Sequence, residues 1–194
     1  MKANLIAGLT FTMHLNNKKM KRNILIFGLV LGAILCVNMV YMVNLCYNNP
    51  DFKPYDILGY AAMVVIFSLI FFGIRNYRNK QNGGVISFGK AFKTGFLIAL
   101  VGSTMYVVVW IFYYYLFVPD FLDKYIPHVL KEAANKGDAA LAAKTSEMAN
   151  FKEMYKNPLF VILITYSEVL PVGLIVALVS SLILKKKSKV VSST

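Results

Sequence analysis

Read as apolar and polar positions alone, the chain falls into long apolar stretches separated by short polar ones. Four windows of about 18 or more apolar residues stand out, and they predict spans of about 24–47, 57–74, 94–118 and 159–184. At a rise of about 1.5 Å per residue, each can cross a hydrocarbon core of about 30 Å. The pattern therefore predicts an all-α, polytopic membrane protein with four transmembrane helices. Residues 20–187 form a single four-span domain, with a tail before it (1–19) and another after it (188–194).

The polar segments refine this plan. "NNPDFKPYD" between the first two spans is a proline-punctuated turn, with Asp56 placed to accept the free N–H groups of the second helix. The longer segment 119–157 reads as a helical hairpin. Asp120 is the expected N-cap, and Phe121, Leu122, Tyr125 and Val129 make one apolar stripe. The stripe breaks at Asn135-Lys136-Gly137-Asp138, and a second runs through Leu141, Met148, Phe151 and Tyr155. Asn157-Pro158 supplies an N-cap and a first-turn proline for the fourth helix. The hairpin is expected to lie over the mouth of the bundle. Segment 1–19 is too polar and too short to span, and is expected either as a poorly ordered tail or, if translation starts at Met20, as untranslated.

Charge fixes an orientation. The net charge is +12, but only 15% of residues are charged and 58% are apolar, against roughly a quarter charged in soluble domains. Fourteen basic residues and no acid lie before the first span, between the second and third, and after the fourth. The other two connecting segments hold seven basic and eight acidic residues. By the positive-inside rule both termini are cytoplasmic, and the expected location is a bacterial inner membrane. Topology thus accounts for the basic excess, and no nucleic-acid partner is expected. Attraction of the basic rim to anionic headgroups is a by-product of the same arrangement, with the lipid bilayer as the first partner.

Candidate chemistry is sparse. Cys36 and Cys46 lie ten residues apart on one predicted helix, about 15 Å from each other, and cannot pair. No Cys/His cluster has metal-ligand spacing, so no metal and no cofactor is expected. "GGVISFGKAFKTG" (83–95) holds most of a phosphate-binding loop, but Ala91 stands where a hydroxyl is needed and apolar spans flank it instead of a strand and an acidic partner. Nucleotide is therefore not expected. The same residues make a helix start: Gly83-Gly84 breaks the chain, Ser87 caps, and Phe88 and Phe92 share a face while Lys90 and Lys93 point elsewhere. A helix over 88–118 is about 46 Å long, so its first turns lie at the headgroups. Phe88, Phe92, Lys90 and Lys93 are the expected interfacial lipid contacts there. Trp110 is the expected one at the other end, within the aromatic run Tyr106, Trp110, Tyr113, Tyr114, Tyr115 and Phe117. A stacking site for a ligand is the sharper alternative for that run.

Glu168 is the only acid inside a span, three residues before Pro171. A charge at that depth costs several kcal/mol (roughly), so such a group faces the bundle interior, finds a partner or stays protonated. Counting residues from the span ends places Asn38, Ser68 and Trp110 near its level. Pro171 frees the carbonyl of Ser167 beside it. Glu168 is then either interhelical glue bonded to Asn38 or Ser68, the favoured reading, or part of a proton or cation pathway. Asn44, Ser103, Thr104 and Thr165 read as packing residues.

"GYAAMVVIFSLIFFGIRNYRN", "GGVISFGKAFKTG", "PDF" after the third span, and "EMYKNPLF" leading to "PVGL" and a lysine-rich end together resemble a family of small bacterial integral membrane proteins known only as a domain of unknown function. The resemblance covers roughly 20–187 and implies four spans with the same loop plan, and no activity. The function expected is a non-enzymatic accessory or interaction component, with a membrane-protein partner or a homo-oligomer. The alternative is a proton- or cation-coupled transporter or channel component using Glu168. His14 and His128 lie outside the spans with no matching constellation, and no catalytic residue is expected.

Overall fold

The computed structural model describes residues 2–53 and 56–186, with side chains from 18 to 53 and from 59 to 186. The chain forms α1 (Lys2–Asn48), α2 (Asp56–Phe67), α3 (Leu69–Asn76), a π-helical turn (Tyr77–Gln81), α4 (Phe88–Leu116), α5 (Phe121–Ala134), α6 (Asp138–Met154) and α7 (Pro158–Leu184). Among the described residues four helical segments are long and apolar enough to cross a membrane: Lys18–Asn48, Gly59–Gln81, Phe88–Leu116 and Pro158–Leu184. Segment 2–19, expected as a tail, is the start of α1, with the side chains of 1–17 outside the described residues. The Asp56 side chain and the tail 188–194 also lie outside them.

The second span departs from expectation at both its middle and its end. The helix lapses at Ser68, whose hydroxyl donates to the Val65 carbonyl at 2.6 Å while the Phe71 N–H turns back three residues to the Ser68 carbonyl. A side-chain hydroxyl competing for a carbonyl in this way bends helices. At its end the helix runs past the expected limit at 74, through Arg75 and Arg78, to Gln81 in the wider π geometry. The chain reverses at Gly83 and Gly84, with φ of 66° and 78°, which only glycine adopts freely. Ser87 then accepts the Lys90 N–H at 3.4 Å and α4 begins at Phe88, as the sequence predicts.

α4 packs on α1, α7 and α3, while α2 packs on α7 and α1. Small residues set the tight seams. A Cβ at Gly28 or Gly32 of α1 would stand 2.7 Å from Val101 or 2.9 Å from Met105, and one at Gly102 of α4 would overlap Leu31. Gly95 and Gly173 do the same for α4 against α7, where an added Cβ would meet Ala177 at 3.0 Å and Ala99 at 2.9 Å respectively. Backbones approach this closely where side chains are absent, and dispersion contacts hold them. Leu31, Leu35, Phe67, Ile70, Ile74 and Ile98 fill the space between the seams. Buried Asn23 joins α1 to α3, donating to the Gly73 carbonyl at 2.9 Å and accepting from Asn76 at 2.7 Å.

At this end of the bundle, Arg78 donates to the Leu184 carbonyl at 3.1 Å, meeting one of the unpaired carbonyls at the end of α7. Ile86 and Lys186 exchange backbone hydrogen bonds of 3.0 and 2.8 Å. At the opposite end, α5 and α6 form the expected hairpin, turning at Gly137 (φ 102°) and burying Leu122, Val129, Met148 and Tyr155. Asp120 stands at the N-cap position of α5, as expected, but its side chain makes no capping bond there. Its carboxylate instead accepts the Tyr47 hydroxyl at 2.7 Å, tying the hairpin to the end of α1. Lys152–Asp123 joins the two hairpin helices, and Lys53–Glu132 (3.9 Å) and Lys131–Asp51 (3.8 Å) join α5 to the α1–α2 loop. Asn157 caps α7 by accepting the Leu159 N–H at 3.0 Å, with Pro158 in the first turn.

Candidate functional site

The break at Ser68 separates two halves of the second span with different neighbours. α3 closes onto α1, α4 and α7, whereas α2 packs on α7 and α1. A cleft of about 300 Å³ lies among α1, α2, α4 and α7 on the α2 side of that break. Glu168 of α7 lines it, together with Asn38 of α1, Tyr106 and Trp110 of α4, and Thr165 one turn earlier on α7. Phe121, Tyr125, Phe151 and Tyr155 cover it from the α5–α6 hairpin, in agreement with a hairpin over the bundle mouth. Met39, Met42 and Met63 supply flexible, polarisable wall.

Tyr155 connects the hairpin to the cleft. It follows the last residue of α6, is 6% exposed, packs edge-on against Tyr114 at 5.5 Å and lies tilted against Phe151 at 4.5 Å. Burial pushes the pKa of its hydroxyl up, and the Glu168 carboxyl across the cleft adds to the effect. Hydrogen-bonding contributions from Trp110 and Thr165 work in the opposite direction and are smaller. Tyr155 is therefore a neutral phenol at ordinary pH, able to donate. Thr165 itself donates to the Val161 carbonyl at 2.7 Å, which leaves its oxygen lone pairs for the cleft.

The residues expected around Glu168 divide cleanly. Asn38 and Trp110 share its cleft. Ser68 does not, because its hydroxyl is taken by Val65 and its side chain is exposed. Among the described residues no hydrogen bond joins the Glu168 carboxyl to Asn38 or Ser68, and the side chain remains exposed along the open side of the cleft. α7 runs through Pro171 as one helix, with Ser167 donating its hydroxyl to the Ile164 carbonyl at 2.7 Å.

Trp110 requires a correction as a lipid contact. It is 6% exposed, meets Phe121 edge-on at 5.3 Å and lies 5.6 Å from Tyr114. At this end of α4 the outward aromatics are Phe112 and Tyr115, followed by Phe117 just past the helix. Tyr106, Trp110 and Tyr114 instead extend, at four-residue spacing, the packed face that includes Gly95, Ile98 and Gly102. That spacing was the signal available in the sequence for Tyr106. At the start of α4, Phe88 is exposed and stacks on Phe92 at 6.0 Å, while Phe92 is half-buried against the core. Lys93 is exposed. Lys90 turns inward, donating to Asn82 at 2.8 Å and standing 5.4 Å from the Tyr77 ring centroid, so it secures the turn rather than reaching lipid. Tyr155 and the methionines were not expected in the site. Tyr155 is far from Glu168 in helix plan, and only the docking of the hairpin brings it there.

Four long apolar helices, joined at one end by a folded hairpin, define the class: an all-α, polytopic membrane protein. Within that class the chain belongs to the family described as Protein of unknown function (DUF4199), which it matches over residues 25–186. No curated protein and no solved structure matches it.

Proposed function

We propose that this chain is a non-enzymatic accessory or interaction component of a bacterial inner membrane, with both termini on the cytoplasmic side and the α5–α6 hairpin on the other. The observation that carries this reading is the clamped hairpin. Tyr47–Asp120, Lys53–Glu132 and Lys131–Asp51 attach it to two other parts of the chain, giving a docked, folded surface outside the apolar helices for a protein partner or a second copy. The basic residues on the opposite side support the orientation. Affinity purification of the full chain from membranes, after crosslinking through cysteines placed at exposed Lys136 or Asn150, tests it. One stoichiometric protein partner, or a discrete homo-oligomer, is expected in each preparation. A crosslink pattern no different from that of a cysteine on the lipid-facing side of α1 overturns it.

A second reading is favoured by one observation, the position of Glu168 in an open cleft rather than in a closed hydrogen bond. On that reading the carboxyl serves a proton- or cation-coupled transporter or channel component. Vesicles holding the purified protein are then expected to show flux under a pH or sodium gradient that Glu168→Gln abolishes. Equal flux in empty vesicles counts against it.

A further inference from the structure

We propose that the Glu168 cleft is a binding site for a small hydrophobic organic monocation, an amine or quaternary ammonium group carried on an apolar body. Among the described residues Glu168 is the only charged one lining the cleft, so an anion is repelled and a neutral apolar guest leaves the carboxyl without a role. Bare metal ions fit poorly. Calcium takes about six to eight oxygen ligands, and among the described residues no group of three His, Cys, Asp or Glu side chains comes together. Aromatic rings make up much of the remaining wall, including Tyr60, Tyr106, Trp110 and Phe121. Ring faces attract cations within about 6 Å, tryptophan most strongly, and the attraction grows where water is excluded. A carboxylate beside such faces recognises charge and apolar body together, and the methionines adapt to the shape of that body.

Size and access agree with this ligand class. The volume of about 300 Å³ lies at the small end of ligand cavities, which run from about 300 to 1,000 Å³. A neighbouring cavity of about 330 Å³ shares Asn38, Met42, Phe52 and Gly59 with it and extends to Asp51 and Lys53. It continues the cleft toward the α1–α2 loop, where Asp51 and Lys53 both line it. The site is independent of the accessory reading, because it requires neither a protein partner nor flux.

The chain has one tryptophan, and that residue, Trp110, lines the cleft. Binding can therefore be read from intrinsic fluorescence of the full protein in lipid nanodiscs. Titration with benzyltrimethylammonium is expected to give a saturable change, with its uncharged isostere neopentylbenzene at least about tenfold weaker. Glu168→Gln is expected to weaken the cation by about tenfold or more and leave the isostere unchanged. Asn38→Phe, which fills the cleft while keeping the carboxyl, is expected to abolish the response to both. Thermal unfolding of each variant shows whether it is folded, and the wild-type comparison of cation with isostere stands even if a variant is not. Equal binding of cation and isostere, unchanged cation binding in folded Glu168→Gln, or no saturable response in the wild-type protein overturns the proposal. Failure to find a protein partner does not bear on it.

Discussion

The same two helices meet in opposite ways at the two ends of the bundle. Toward the end held by Arg78, α1 and α4 touch through Gly28, Gly32 and Gly102, where an added Cβ would collide with Val101, Met105 or Leu31. Toward the hairpin they face each other through Asn38, Met42, Tyr106 and Trp110, and a cleft opens among them. Backbone separation is set by the side chains that must fit between, so small residues close one end and large residues hold the other apart. The second span follows the same division, with α3 in the closed half and α2 in the open half, split at Ser68. The lesson is that one seam can carry the stability of the protein while its continuation is left free for a ligand.

The hardest blow to this contrast should come from overfilling the closed end. Gly102→Leu forces a side chain into Leu31 and is expected to cost roughly 3 kcal/mol or more, above the usual range for overpacking because backbones meet there. Loss of the monodisperse peak in detergent, or a collapsed unfolding temperature, is the readout, and a wild-type melt would refute the glycine seam. Next in size, Arg78→Ala removes the donor to the end of α7 and should lower stability by about 1–2 kcal/mol in chemical denaturation. Tyr47→Phe removes the hydroxyl that reaches Asp120. A loss of about 1 kcal/mol is expected, with faster proteolysis of the hairpin than of the spans.

Two smaller effects belong to the open end. Burial raises the Tyr155 pKa above the ordinary tyrosine value of about 10. The unfolded chain therefore releases this proton at a lower pH than the folded one. Its contribution is fully present below about pH 10 and falls away as pH rises through the higher folded value. Tyr155→Phe should flatten that alkaline decline in a melting-temperature profile and leave the neutral region parallel to wild type. The smallest effect is expected from Glu168→Gln, within about 0.5 kcal/mol of wild type, because no described hydrogen bond depends on the carboxyl. A loss above about 2 kcal/mol would make Glu168 structural glue and close the distinction between the ends.

Much of the architecture was legible from residue order. Apolar runs longer than a hydrocarbon core, the glycine pair at 83–84, the Ser87 and Asn157 caps and the paired stripes of the hairpin are each short-range signals. The alternation of small and aromatic residues along α4 was also in the sequence, and it carried the inward direction of Trp110 that interfacial statistics obscured. Asp120 takes the N-cap position that its local sequence favours, but the partner of its carboxylate, Tyr47, is 73 residues away.

The sequence by itself determined that the chain has four apolar helices and a hairpin, that a lone acid lies inside the fourth span, and that no second acid lies in any span. These follow from the length, period and polarity of contiguous residues, which act within a few turns of one helix. Only the tertiary structure decided that Ser68 divides a span instead of bonding Glu168, that Lys90 turns to Asn82, and that Tyr155 comes from another element to cover the acid. Those outcomes depend on which carbonyl, ring or carboxyl lies within about 3 to 6 Å after the helices have packed, and helix periodicity carries no information about that distance.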